Sequence, residues 1–86
     1  MSIRVLFFTH PRCPYCPMAK KVLEDKKIPF ETVNVETREG QNVAARYGIF
    51  SLPSVVVENG VGFEIVRGFS KNLGEKVMEI IASYGS

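Results

Sequence analysis

Ile3-Arg4-Val5-Leu6-Phe7-Phe8-Thr9-His10-Pro11-Arg12-Cys13-Pro14-Tyr15-Cys16 decides how this chain is read, because a strand-like apolar run leads there into the only two cysteines. Ile3 to Phe8 reads as a buried strand. Pro14 suits the first residue of a helix capped by Cys13, since a helix start leaves that N–H unpaired in any case. Cys13 then sits at the positive end of a helix dipole, where unpaired backbone N–H groups favour a thiolate over a thiol. Cys16, one turn on, lies on the same face within reach of an intramolecular disulfide. The thiolate is the form that attacks disulfides, so a redox dithiol is the leading reading.

Half of a zinc site has the same spacing. A closed structural zinc site needs four Cys or His ligands, and the chain has two cysteines and one histidine. What remains beside the dithiol is a site shared between two chains, with His10 as an added ligand, or an iron–sulfur cluster held by thiolates from two molecules. The strand-then-helix context favours the dithiol.

Composition bounds the rest. Eighty-six residues with 45% hydrophobic content suffice for one domain, 1–86, around a single core. Small secreted domains staple themselves with more cysteines, so two in one motif suggest chemistry in a reducing compartment. Arg4 is followed by only Val5 to Phe8 as an uninterrupted apolar run, too short for a signal-peptide core or a membrane span. A soluble, cytoplasmic monomer with no membrane partner is expected. A net charge of +2 with no basic stripe gives no reason to expect nucleic acid.

Along the chain, Ala19, Val22 and Leu23 recur at helical spacing opposite Lys20, Lys21, Glu24 and Asp25, predicting a first helix to about Lys27 that Ile28-Pro29 ends. Phe30, Val33 and Val35 with Thr32 and Asn34 suggest a short strand, far enough from the first for a parallel crossover. A second helix is predicted from near Thr37 to Gly48, a left-handed cap. Ser54 to Glu58, with three valines in a row, reads as a strand buried on both faces. Asn59-Gly60 signals a hairpin returning through Phe63 to Val66. Leu73, Val77, Ile80, Ile81 and Tyr84 form the apolar stripe of a last helix, with Asn72 and Glu75 as a capping box and Ser70 as the competing cap. The order βαβαββα makes a mixed four-stranded α/β sheet with helices on both faces.

This order, the CPYC motif at the first strand-to-helix turn, and Leu52-Pro53 before the buried strand together resemble the thioredoxin fold over essentially the whole chain. Thr9 to Cys16 resembles glutaredoxins. Ala44-Ala45-Arg46-Tyr47-Gly48-Ile49, Leu52-Pro53-Ser54, Asn59-Gly60 and Gly68-Phe69-Ser70-Lys71 resemble thioredoxins. With Pro17-Met18-Ala19 after the motif, the combination is similar to the small glutaredoxin-like thioredoxins of archaea. The resemblance implies a protein-disulfide oxidoreductase with Cys13 and Cys16 as catalytic residues and Pro53 as a cis-proline beside them, and thiol–disulfide exchange itself calls for neither metal nor organic cofactor. It implies protein disulfides as substrates and thioredoxin reductase or glutathione as electron donor. Around the dithiol, Arg12, Pro14, Tyr15, Leu52, Pro53, Gly68 and Phe69 are the candidate substrate-binding residues. Leu52 would offer its backbone to an extended substrate. Arg12 would lower the Cys13 pKa by Coulomb attraction, and His10 would do so only when protonated.

The departures are equally specific. Glutaredoxins hold glutathione partly through a glycine pair and an acid where this chain reads Gly68-Phe69-Ser70-Lys71-Asn72, so one glycine remains and the acid is gone. Thioredoxins carry a tryptophan where Arg12 stands and a buried acid on the preceding strand, where Val5 to Phe8 offers no carboxylate to deprotonate Cys16. Pro17 falls at the fourth position of a helix capped at Cys13, where it removes the first intrahelical hydrogen bond and disfavours helical geometry at Cys16, so a distorted first turn is expected.

Overall fold

Two strands that are apolar on both faces form the centre of the sheet. In the computed structural model, which describes residues 3–85, β1 (Arg4–Thr9) lies antiparallel to β3 (Ser54–Glu58), with Leu6 opposite Val56 and Phe8 opposite Ser54. β2 (Glu31–Asn34) pairs parallel with β1, and β4 (Phe63–Arg67) pairs antiparallel with β3, giving the order β2-β1-β3-β4. Helices α1 (Cys16–Asp25), α2 (Arg38–Tyr47) and α3 (Leu73–Gly85) complete βαβαββα, and the thioredoxin-like fold expected from the sequence is the fold found. None of these helices is long and apolar enough to cross a membrane.

Because side chains alternate along a strand, the sheet has two cores. Val5, Phe7, Val55 and Val57 pack with Ala19 and Leu23 of α1 and Leu73 and Val77 of α3. Leu6, Phe8 and Val56 turn to the opposite face and meet Ala44 of α2. Gly74 lets α3 approach α1: a Cβ there would lie 2.8 Å from the Lys26 side chain and 3.2 Å from that of Val22.

Several boundaries differ from expectation for local reasons. Helix α1 stops at Asp25, because Lys27 takes a left-handed φ of 58°. Its N–H donates to the Glu24 carbonyl at 2.9 Å and that of Ile28 to the Leu23 carbonyl at 3.0 Å, a Schellman closure without glycine. Buried Ile28 and Leu23 share the core beneath this turn, and that burial offsets the left-handed lysine, which costs about 1–2 kcal/mol. Phe30 lies outside β2 and packs edge-on against Phe7, while Val35 follows the strand and donates its N–H to the Thr9 carbonyl. The hairpin loop spans Asn59 to Gly62, since pairing begins at Glu58 and Phe63, and Asn59 Oδ1 accepts the N–H groups of Val61 and Gly62.

Helix α2 is as expected, with the Thr37 hydroxyl accepting the Gly40 N–H at 2.9 Å and Gly48 closing it at φ 70°. Gly40 itself is buried against the backbone of Asn34, so closely that any Cβ would collide with the Asn34 carbonyl. At α3 the capping box is replaced: Ser70 Oγ donates to Asn72 Oδ1, and Glu75 bonds its own N–H and Lys26 of α1.

A polar chain joins β2, β1 and β3 at the end of the sheet remote from Cys13. Arg4 grips Glu31 with two 2.8 Å bonds and reaches Glu58, which accepts the Tyr47 hydroxyl, while the Tyr47 ring stands edge-on to Phe63. The Glu58 bond, burial and the Glu58 charge hold the Tyr47 phenol above its ordinary 10.0. A raised folded-state value means that the neutral phenol is favoured by folding: the contribution is complete below the unfolded value and is lost as pH rises through the folded one. Tyr47→Phe is therefore expected to lower stability by about 1–2 kcal/mol near neutral pH. The gap to the native chain, read from urea midpoints, should narrow above about pH 10.

Candidate active site

Cys13 and Cys16 are joined as a disulfide with their Cα atoms 5.4 Å apart. Pro11-Arg12 turns the chain out of β1, and the Cys13 N–H donates to the His10 carbonyl at 3.0 Å. The Arg12 N–H donates to His10 Nδ1, also at 3.0 Å. His10 thus braces, through both its carbonyl and its ring nitrogen, the turn that aims Cys13.

The helix does not start where Cys13 would cap it. Tyr15 is the N-cap, Cys16 is the first helical residue, and the first closure outside the helix is Ala19 N–H to the Tyr15 carbonyl at 3.0 Å. Pro17 supplies the reason: a bond from residue 17 to the Cys13 carbonyl needs an N–H that proline lacks. In the second helical position that missing N–H has no cost, so the residue expected to distort the first turn instead marks where the helix begins.

This shift makes the two sulfurs unequal. Cys16, Ala19 and Leu23 fall on the buried face of α1, and Cys16 is 3% exposed. Cys13, in the turn before the helix, is half-buried and faces a groove lined also by Arg12, Pro14, Ser51 and Leu52. Ser54 is the one buried polar residue among those described, so no carboxylate is buried beside Cys16.

Of the other sequence candidates, Arg12, Pro14 and Leu52 line this groove, while Tyr15, Pro53, Gly68 and Phe69 are not part of its lining. The Leu52–Pro53 peptide bond is cis, as the resemblance implied. The Pro53 carbonyl accepts the Gly68 N–H at 2.8 Å, and Gly68 takes a φ of 78° that suits glycine. Among the described residues, neither the amide nor the carbonyl of Leu52 has a hydrogen-bond partner. Tyr15 is 54% exposed and stacks on Phe69 with centroids 5.9 Å apart, outside the groove that Cys13 faces. Phe50 was missed: it stands on the groove rim under the Arg67 guanidinium. A lone aromatic between Gly48 and Leu52 has no periodic signal, and only the fold brings Arg67 to it.

Comparison with known proteins agrees with this geometry. A glutaredoxin family model matches residues 5–63. The thioredoxin of Methanocaldococcus jannaschii is 34% identical over 66 residues, covering 72% of this chain and 78% of its own length. The chain belongs to the glutaredoxin-like thioredoxins. A prophage-derived thioredoxin-like protein of Bacillus subtilis, YosR, is 37% identical over 81 residues, 91% of this chain and 99% of its own. The solved thioredoxin of Malassezia sympodialis shares the fold, with a TM-score of 0.77 at 21% identity over 98% of this chain and 76% of that one. This glutaredoxin-like thioredoxin is a disulfide oxidoreductase.

Pro17 gives the site a direct test. Pro17→Ala restores an N–H able to reach the Cys13 carbonyl, which lets the helix start nearer Cys13 and brings its positive end to the sulfur. In the reduced variant the Cys13 thiol is expected to titrate at lower pH, followed by thiolate absorbance. An unchanged or raised titration would contradict this account of the helix start.

Proposed function

We propose that the chain reduces protein disulfides, with Cys13 as the attacking thiol and Cys16 as the resolving one. The observation that carries this reading is the unequal burial of the pair, a half-buried Cys13 on a groove against a Cys16 at 3% exposure. The Cys13 thiolate attacks a substrate disulfide, forming a mixed disulfide and expelling one substrate thiolate. The Cys16 thiolate then attacks Cys13 Sγ, expelling the second substrate thiolate. Two electrons pass to the substrate, and the Cys13–Cys16 disulfide remains. The unpaired amide and carbonyl of Leu52 suit an extended substrate backbone laid beside Cys13 as an added strand.

The electrons come from a flavin-dependent thioredoxin reductase or a comparable dithiol donor. Gly68 to Asn72 carries no carboxylate for the ammonium group of glutathione, and the Ser70 and Asn72 side chains bond each other.

In the test, Cys16→Ser is expected to accumulate a reductant-sensitive covalent adduct with a protein substrate. Cys13→Ser should form none and lose turnover to background, since a serine hydroxyl is a far poorer nucleophile than a thiolate near neutral pH. Adducts on Cys16 alone would reverse the roles. With oxidised native protein, thioredoxin reductase plus a nicotinamide reductant should outpace glutathione plus its reductase. Faster reduction by glutathione, with glutathionylated Cys13 visible by mass, would assign the donor to glutathione.

A further inference from the structure

Phe50 is 85% exposed, yet it is not a random surface aromatic. It forms the rim between the groove that Cys13 faces and an apolar pocket walled by Val35, Ala44, Ala45 and Ile49, with Ser51 and Leu52 common to both. The Arg67 guanidinium lies 4.6 Å from the centre of its ring. Arg67 is also fixed from below: it ends β4 in register with Ser54, and the next residue, Gly68, bonds Pro53. The cation is thereby tied to the same loop that presents Leu52.

What Arg67 lacks is a strong acceptor. Its two terminal nitrogens share the Gly48 carbonyl at 3.4 Å each, longer than an ordinary N–H···O bond. Arg4, Lys21 and Lys26 have carboxylate partners, whereas among the described residues none lies within ion-pair distance of Arg67 or of Arg12 across the groove. Neither the groove nor the apolar pocket has an acidic residue in its lining, while Arg12 lines the groove and Arg67 covers its rim. A ligand in this groove meets Arg12 in its lining and Phe50 at its rim, with the Arg67 guanidinium over that ring.

We propose that Phe50 and Arg67 select among substrates, favouring extended polypeptides that carry an aspartate or glutamate next to the half-cystine that Cys13 attacks and an apolar side chain beyond it. The acid would exchange the long bonds from Arg67 to Gly48 for a charge-assisted pair, with the guanidinium held flat against the Phe50 ring. The apolar side chain would fill the pocket between Val35, Ala44 and Ile49. This inference rests on the protein-disulfide reading and adds to it a substrate class.

The test uses two synthetic peptides with the same internal disulfide, differing only in Glu or Lys next to the half-cystine, reduced by the dithiol protein. The Glu peptide is expected to have the higher kcat/KM by roughly three- to tenfold at low ionic strength, mainly through KM, and the advantage should shrink as salt is added. Arg67→Glu should reverse the order. Phe50→Ala, a change at an exposed side chain, should narrow the difference even if the Arg67 variant does not fold. Equal rates for the two peptides with the native protein would overturn the proposal, as would a preference that survives Arg67→Glu or ignores salt. Reduction of neither peptide, nor of insulin, would instead remove the reductase reading on which it stands.

Discussion

The register of β1 against β3 is the constraint on which the rest of the molecule depends. With Leu6 opposite Val56 and Phe8 opposite Ser54, alternate side chains serve the α1/α3 core and the α2 core. A slip of one residue would exchange the two sets. The same register brings the chain leaving β1 and the chain entering β3 to one end of the sheet. Cys13 and Leu52 line one groove there because Phe8 meets Ser54 a few residues earlier. The chemistry is carried by turns, but its geometry is set by a hydrophobic ladder.

Much of this was legible because the signals are local and strong. Val55-Val56-Val57 has no comfortable place except the centre of a covered sheet, and all three are buried. The stripe from Leu73 to Tyr84 gave α3, and Thr37 with Gly48 gave both ends of α2. The spacing of the CPYC motif gave the Cys13–Cys16 pairing. What stayed hidden depends on contacts distant in sequence. Lys27 ends α1 in a conformation that suits glycine, because the burial of Ile28 requires the turn. The approach of Gly40 to Asn34, the Arg4–Glu31–Glu58–Tyr47 chain and the Phe50–Arg67 pair each join elements that no window of sequence shows together.

Pro17 shows how one residue links local backbone chemistry to the roles of two others. By lacking an N–H it moves the helix cap from Cys13 to Tyr15. From there the periodicity that docks α1 through Ala19 and Leu23 also carries Cys16 into the core, while Cys13 stays in the turn that His10 braces. Accessibility of one sulfur and protection of the other are thus consequences of helix geometry.

The central claim is that this geometry assigns different work to the two cysteines. Its most direct test is timed alkylation of the fully reduced native protein at mildly acid pH with a small neutral reagent, the modified position being read by mass after digestion. Cys13 is expected to be modified first and Cys16 only much later, since a thiol at 3% exposure needs the fold to open locally. Equal rates, or Cys16 modified first, would contradict the account.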